Sequence, residues 1–283
     1  MANTTHTVEA DGLVCNDAGP WANDKYRLVA MYTQMFATAM KDKWPARHYF
    51  ELYAGAGYSK IRGADSIIAA SPVRAVTVPD TFSKYVFCEE DDEKREALRK
   101  RIQRHAPHTN CAFIPGDCNA RIEDIVSEAR SPSAGNSLNL CFLDPYDIGI
   151  KFSTVRKLAE MRMDFLVLLA VFMDAQRNYD NYTAEDSQKL DQFLGDREWR
   201  KEWRSKDRLL EEFPQFLAEE FSKRMAMIGY IGQPLHRMKK VRTYDRRAPL
   251  YYLALFSRSE RAYAFWDAVL NYATDQPKLG ADW

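Results

Sequence analysis

No stretch of the chain is apolar over the roughly 18 residues that a bilayer-spanning helix requires, and its opening residues show no signal-peptide core. Nor is either charge in excess: lysine plus arginine number 40, and so do aspartate plus glutamate. No global field therefore attracts nucleic acid, and any polyanion site has to be a local patch. The five cysteines (Cys15, Cys88, Cys111, Cys118 and Cys141) form no Cys-x-x-Cys pair, and no histidine stands at ligand spacing from them. That argues against a zinc site. Thiols in or beside apolar runs suit reduced core cysteines, so a cytoplasmic protein without a membrane segment is expected. No internal repeat is present.

What the chain does contain is alternation. At 283 residues it suits one large domain with an insertion, or two modest domains. Residues 1–20 are polar and read as a flexible N-terminal segment. Tyr26, Val29, Thr33, Phe36 and Met40 recur at helical spacing and predict an amphipathic helix between Trp21 and Trp44. Apolar runs predict strands over 48–54, 84–89, 111–115, 138–143 and 164–172, then a final pair near 235–243 and 250–257. Helices are expected over 71–76, 91–105, 120–130, 152–161 and 209–228, with a last one carrying Tyr263, Trp266 and Leu270. Ser71-Pro72 looks like an N-cap followed by proline at the first helical position. Ser131-Pro132-Ser133-Ala134-Gly135 is a breaker cluster.

The run 138–143 is nearly all apolar and 165–172 apolar throughout, as strands buried on both faces of a parallel sheet are. The fold class is therefore α/β: a doubly wound, mostly parallel, seven-stranded sheet. A Rossmann-like cofactor-binding core is expected over 21–173, a helical insertion over 174–230 after strand five, and the terminal strand pair and helix over 231–283. The insertion carries Tyr179, Tyr182 and the pairs Trp199-Arg200 and Trp203-Arg204. It is expected to overhang the cleft as a lid. Its aromatics suit packing within that lid, stacking on an extruded base, or packing against a protein partner.

The most informative local pattern is Tyr49-Phe50-Glu51-Leu52-Tyr53-Ala54-Gly55-Ala56-Gly57-Tyr58-Ser59, an acidic strand that breaks into a Gly-x-Gly turn. Gly55 and Gly57 let backbone approach a ligand where a Cβ would collide. The third glycine of a dinucleotide fingerprint is missing, and so is the Gly-Lys-Ser/Thr ending of a P-loop. The turn fits a loop for S-adenosylmethionine, a cofactor with no phosphate to cradle; a plain strand-to-helix turn is the other reading. Four acidic features fall at strand ends: Glu51, Glu89 (beside Glu90), Asp117 and Asp144. A carboxylate at Glu89 suits both hydroxyls of a ribose. Asp117, in Gly116-Asp117-Cys118-Asn119, is placed for an adenine amino group. Any one of the four could also be a helix N-cap.

Asp144-Pro145-Tyr146 ends the fourth strand, where methyltransferases acting on exocyclic amines carry Asn/Asp-Pro-Pro-Tyr/Phe. The acid and a proline carbonyl there accept the amino hydrogens and the aromatic ring stacks on the base, so catalysis is chiefly positioning. Only one proline is present here, and a simple strand-to-loop turn is the competing reading. Lys239, Lys240 and Arg242 lie in the one concentrated basic run, suited to phosphates or to a solvated edge strand.

In order and spacing these segments resemble the three-Cys-motif partner proteins, from about Gly19 to Tyr272. The resemblance includes Trp21 and Lys25, Phe50–Gly57, Ser71–Ala75, Phe87-Cys88-Glu89, Gly116–Asn119, Phe142–Tyr146 and Leu250–Ser257. It implies a class I methyltransferase-like fold that binds S-adenosylmethionine through Glu51, Tyr53, Gly55, Gly57, Glu89, Asp117 and Cys118. Asp144, Pro145 and Tyr146 would be catalytic, and Lys239, Lys240 and Arg242 would hold a nucleic-acid substrate. It also implies a radical S-adenosylmethionine partner protein, to which the three-cysteine cluster would belong. The single proline and the length of chain between Gly57 and Glu89 depart from the usual patterns. Two other functions stay open: a non-catalytic scaffold for that partner, and a nuclease holding a divalent metal through Glu51, Asp117 and Asp144.

Overall fold

The computed structural model describes residues 7–129 and 136–275; the Ser131–Gly135 breaker cluster and the outer parts of both terminal segments lie outside the described residues. In chain order the elements are β1 (Thr7–Val8), β2 (Asn16–Ala18), α1 (Ala22–Met40), β3 (Ala46–Leu52), β4 (Tyr58–Ile61), β5 (Ile67–Ala69), α2 (Ser71–Val76) and β6 (Lys84–Glu89). There follow α3 (Asp92–His105), β7 (Cys111–Pro115), α4 (Ile122–Ala129), β8 (Ser137–Leu143), α5 (Phe152–Leu158) and β9 (Met163–Leu169). The last are α6 (Tyr179–Thr183), α7 (Lys189–Leu194), α8 (Trp199–Arg204), α9 (Phe213–Met227), β10 (Lys239–Arg242), β11 (Pro249–Phe256) and α10 (Glu260–Asp275).

Seven strands form the main sheet in the order β10-β11-β9-β8-β3-β6-β7. From β7 to β9 all neighbours are parallel, while β11 runs antiparallel to both β9 and β10. Expectation and structure agree here, including β8 beside β9 at the centre. Side-chain alternation shows why these runs are so largely apolar. Phe50, Leu52, Cys141, Leu143, Phe165 and Val167 enter one core cluster with α4, α5 and α9. Tyr49, Tyr85, Leu140, Phe142 and Leu166 enter the opposite one with α1 and α10. Helix α1 buries Tyr26, Val29, Thr33 and Phe36, the predicted stripe.

Several boundaries differ from expectation for local reasons. The fifth strand stops at Leu169, and Val171–Ala175 winds into a π-turn instead. Residues 235–237 form a 3-10 turn, leaving only Lys239–Arg242 as strand. Ser71 is not a cap: Ala70 holds that position, and the Ser71 hydroxyl donates to Glu51 instead. Asp91 does cap α3, accepting from the amides of Glu93 and Lys94.

The N-terminal segment is the larger correction. It is not loose over 7–18, because β1 and β2 join β4 and β5 in a second sheet of order β1-β5-β4-β2. The clamp is Arg101, whose side chain is fully buried and which binds Asp11 at 3.0 and 2.7 Å. The same guanidinium donates to the carbonyls of Val14 at 2.8 Å and Ala56 at 2.6 Å and lies 4.1 Å over the Tyr58 ring. One charged fork therefore joins the segment, the glycine turn and α3. Its hydrogen bonds hold the Asp11 carboxyl below the usual carboxylate range.

The insertion departs from expectation in where it lies, while its aromatics pack as one reading of them required. Its aromatics face inward: Trp199, Trp203, Phe213 and Phe221 belong to the same buried cluster as the central strands. Trp199 donates to Asp191 at 2.8 Å, and Arg200 is held by the carbonyls of Thr183, Ala184 and Ser187. The segment thickens one helical layer and is not an overhanging lid. Among the described residues no helix is long and apolar enough to cross a membrane.

Removing Arg101 strips the Asp11 carboxylate of its buried partner and leaves it only the exposed Arg104 at 3.3 Å, a loss of up to about 3–5 kcal/mol by comparison with buried pairs. Arg101→Leu is expected to lower stability to urea by roughly that amount and to strip hydrogen-exchange protection from residues 7–18. Unchanged protection there would show that the clamp is dispensable.

Candidate active site

The order of the main sheet reverses between β3 and β8, so the loops leaving them diverge and open a crevice at the carboxyl ends. A cavity of about 470 Å³ occupies it. Tyr53, Gly55, Glu89, Asp117, Cys118, Asp144, Pro145 and Tyr146 all border this cavity, so most of the predicted site residues are brought together.

Backbone geometry explains the turn after β3. The amides of Tyr53 and Ala54 both donate to the Cys88 carbonyl, at 3.1 and 2.9 Å, and Tyr53 takes a φ of 75° there. The Tyr53 hydroxyl is buried beside the Cys118 thiol. Gly55 has a φ of 65°, and a Cβ on it would meet Asn16 Nδ2 at 2.2 Å. Its amide donates to Glu89 Oε2 at 2.6 Å, while the Ala56 amide donates to Asn16 Oδ1 at 3.1 Å. Gly57, with a φ of 82°, serves packing instead: a Cβ there would meet Leu98 at 2.9 Å and Val73 at 3.1 Å. Gly57 does not border the cavity.

Glu51 does not border it either. It is buried beneath the turn, accepting from the hydroxyls of Tyr49 at 2.8 Å and Ser71 at 2.5 Å. Burial outweighs these two donors and pushes its pKa up to about 8, so at neutral pH it is chiefly a neutral acid. Its part is to anchor α2 to β3, which corrects the expectation of a direct cofactor ligand.

On one side of the cavity Glu89 Oε1 accepts from the Asp91 amide at 3.0 Å, a second hold on the carboxylate that meets Gly55. Asp117 is exposed and caps its own turn through Asn119. Asn119 in turn staples this loop to the one after β8, accepting from the Lys151 amide and the Thr154 hydroxyl at 2.9 Å each. Burial pushes the Cys118 thiol up to about 12, which makes it an apolar wall and not a nucleophile.

On the other side Asp144 Oδ2 meets Lys25 Nζ at 2.6 Å, with only 12% and 13% of the two side chains exposed. Burial alone would lower the Lys25 pKa, but Asp144 reverses this and holds it above the usual lysine value. Tyr26 and Tyr251 flank the pair, and Tyr146 stands 66% exposed at the rim. The loop after Tyr146 is tied to the insertion by Lys189 on Asp147 at 2.6 Å and by the Ile148 amide on Asp174 at 3.0 Å. Among the described residues none from 174–230 borders the cavity.

Lys239, Lys240 and Arg242 are not brought to the cavity. They lie on the outer strand β10, with Lys240 Nζ 5.2 Å over the rings of both Phe172 and Tyr252. The basic side chains that border the cavity are instead Lys25, Arg62 and Lys94, and the β10–β11 turn reaches only its flank. Arg242 donates there to the Arg247 carbonyl, and the Tyr244 hydroxyl donates to Asp24 at 2.7 Å, one residue before Lys25. Asn16 and Tyr251 also line the site, and sequence reasoning did not find them: Asn16 belongs to a segment with no periodicity and Tyr251 to an ordinary apolar strand. Lys25 was noticed only as part of a resemblance. No three His, Cys, Asp or Glu side chains among the described residues converge as metal ligands.

No protein-family model matches the chain, and no curated protein sequence does. Among solved structures it is similar to an O-methyltransferase from Bacillus cereus in complex with SAH, with a TM-score of 0.50 and 12% identity over 87% of this chain and 84% of that one. It is also similar to the O-methyltransferase TomG from Streptomyces achromogenes, involved in tomaymycin synthesis and bound to SAM. There the TM-score is 0.47 and the identity 11%, over 84% of this chain and 81% of that one. At such identities the likeness is one of fold. The chain has a class I methyltransferase-like fold: a mostly parallel seven-stranded sheet between helical layers, with its crevice at the strand ends.

Glu51 provides a pH test. Its folded pKa of about 8 lies above the ordinary 4.5, so the folded state binds this proton more tightly. Its stabilising contribution is complete below 4.5 and is lost as pH rises through about 8. Over that window the melting temperature of the natural protein is expected to fall relative to that of Glu51→Gln. Parallel melting curves across the window would show that Glu51 is not a buried neutral acid.

Proposed function

We propose that the chain is an S-adenosylmethionine-dependent methyltransferase acting on an exocyclic amine of a nucleic-acid base. The observation that carries this reading is a single cavity flanked by the Gly55 turn, Glu89 and Asp117 on one side and by Asp144-Pro145-Tyr146 on the other. The donor set fits the cofactor. The Glu89 carboxylate suits the two ribose hydroxyls, Asp117 the adenine amino group, and Tyr53 and Cys118 offer a largely apolar wall. When bound, the cofactor supplies an electrophilic methyl group.

The chain's own residues orient the acceptor. Lys25 engages Oδ2 of Asp144, and among the described residues no group donates to Oδ1. That oxygen is left to accept a hydrogen from an acceptor amine, and exposed Tyr146 gives a ring on which a base can stack. Exposed Arg246 on the β10–β11 turn, with Arg242 and Arg247, is placed for phosphates next to the start of α1. The five free cysteines suit a reducing compartment such as the cytoplasm. A scaffold role toward a radical S-adenosylmethionine partner rests on the resemblance to three-Cys-motif partner proteins. The nuclease reading loses its ligand set, because Glu51 is engaged by Tyr49 and Ser71 away from the cavity.

Calorimetry should show saturable S-adenosylmethionine binding, weakened about 10- to 100-fold in Glu89→Ala through loss of charge-assisted bonds. Radiolabelled methyl transfer to total RNA and DNA should fall about 100-fold in Asp144→Ala while cofactor binding persists. Absence of binding would sink the cofactor assignment. Binding with no label on nucleic acid would sink the acceptor and favour the scaffold.

A further inference from the structure

A second cavity, of about 250 Å³, lies in the insertion and shares no lining residue with the first. We propose that it is an anion site that takes a phosphate group. Tyr179, Trp203, Arg204, Lys206, Asp207 and Arg208 border it. The floor is preorganised: Trp203 Nε1–H donates to the Tyr179 oxygen at 2.9 Å, with the two rings edge to face. Accepting that bond leaves the Tyr179 O–H free to donate outward.

Arg208 is aimed in the same way. Its guanidinium carbon lies 4.5 Å over the Phe216 ring and 5.5 Å over Trp203. Those two faces fix the plane of the fork without using any of its N–H groups. Among the described residues no carboxylate or carbonyl accepts from Arg208 or from Lys206. Three acids nearby are already committed. Asp191 holds Arg197 and Arg200 at 3.2 Å each, Asp196 holds Arg224 at 3.0 Å, and Glu185 holds Arg204 at 2.5 Å. Among the described residues that border the cavity, Asp207 is the one acidic side chain. An ammonium, a guanidinium fork and a phenolic hydroxyl thus converge with their donors unused, a set that matches the oxygens of a phosphate.

Size narrows the ligand. Sites for whole drug-sized molecules run from about 300 to 1,000 Å³, so this cavity suits a phosphate or pyrophosphate group with the rest of the molecule outside. Such a group can belong to a free nucleotide or to a nucleic-acid strand.

The test is calorimetry on the full chain with inorganic pyrophosphate, a nucleoside monophosphate and a single-stranded oligonucleotide. Saturable binding is expected at low salt, weaker at high salt, and reduced about tenfold or more in Lys206→Ala/Arg208→Ala. Lys206→Glu, at an exposed position, should weaken it without lowering the melting temperature, which separates site loss from misfolding. Glu89→Ala, in the other cavity, should leave pyrophosphate binding unchanged. Tighter binding of the oligonucleotide than of the monophosphate assigns the phosphate to a strand; equal binding assigns it to a free nucleotide. No saturable binding of any of the three, or binding indifferent to both Lys206 variants, would overturn the proposal.

Discussion

A parallel sheet covered by helices on both faces can be approached only along the ends of its strands, and that constraint organises this molecule. The helical layers leave no accessible face, so a ligand has to meet backbone and side chains where strands end and loops diverge. Divergence occurs between β3 and β8, where the strand order reverses. The glycine turn, the acids at the ends of β6 and β7, and Asp144 after β8 then face one cavity without any of them having evolved a local signal for the others.

The crevice is completed by chain from outside the alternating pattern. Arg101 on α3 draws residues 11–15 down onto the glycine turn, and this sets Asn16 against Gly55 and Ala56. A guanidinium buried at this depth needs acceptors on every side. It finds them in Asp11 and in backbone carbonyls of two segments, so burial of the charge and closure of the cavity are the same event. The N-terminal segment thus becomes a wall, and a missing side chain at Gly55 is what admits it.

Two carboxyl groups near the base of the cavity show how environment divides roles. Glu51, with only neutral donors beside it, is pushed by burial toward its protonated form and becomes a structural anchor for α2. Asp144, little more exposed, is paired with Lys25 and borders the cavity. The insertion contributes indirectly: Asp174, which also receives the hydroxyl of Tyr182 at 3.0 Å, takes the Ile148 amide and so positions the loop that carries Tyr146.

The alternation of apolar runs and amphipathic helices determined the sheet, its parallel centre and the presence of a last strand pair, because strands buried on both faces leave a nearly all-apolar composition; the antiparallel direction of that pair came from the structure. It also marked the glycine turn, Glu89, Asp117 and Asp144, which lie at strand ends and are legible from local pattern alone. It misjudged whatever depended on a distant partner. Residues 7–18 read as loose because their polar side chains find acceptors and donors only on α3 and the turn. Glu51 read as a ligand because nothing in its own strand reveals the hydroxyls of Tyr49 and Ser71. Trp199 and Trp203 suited packing and stacking equally on their own pattern, because the core they fill is assembled from α7, α9 and β9. Pairing across long separations, such as Lys25 with Asp144 or Arg101 with Asp11, leaves no periodicity in the chain. Only the packed structure, where burying one charge demands another within hydrogen-bond reach, decided those.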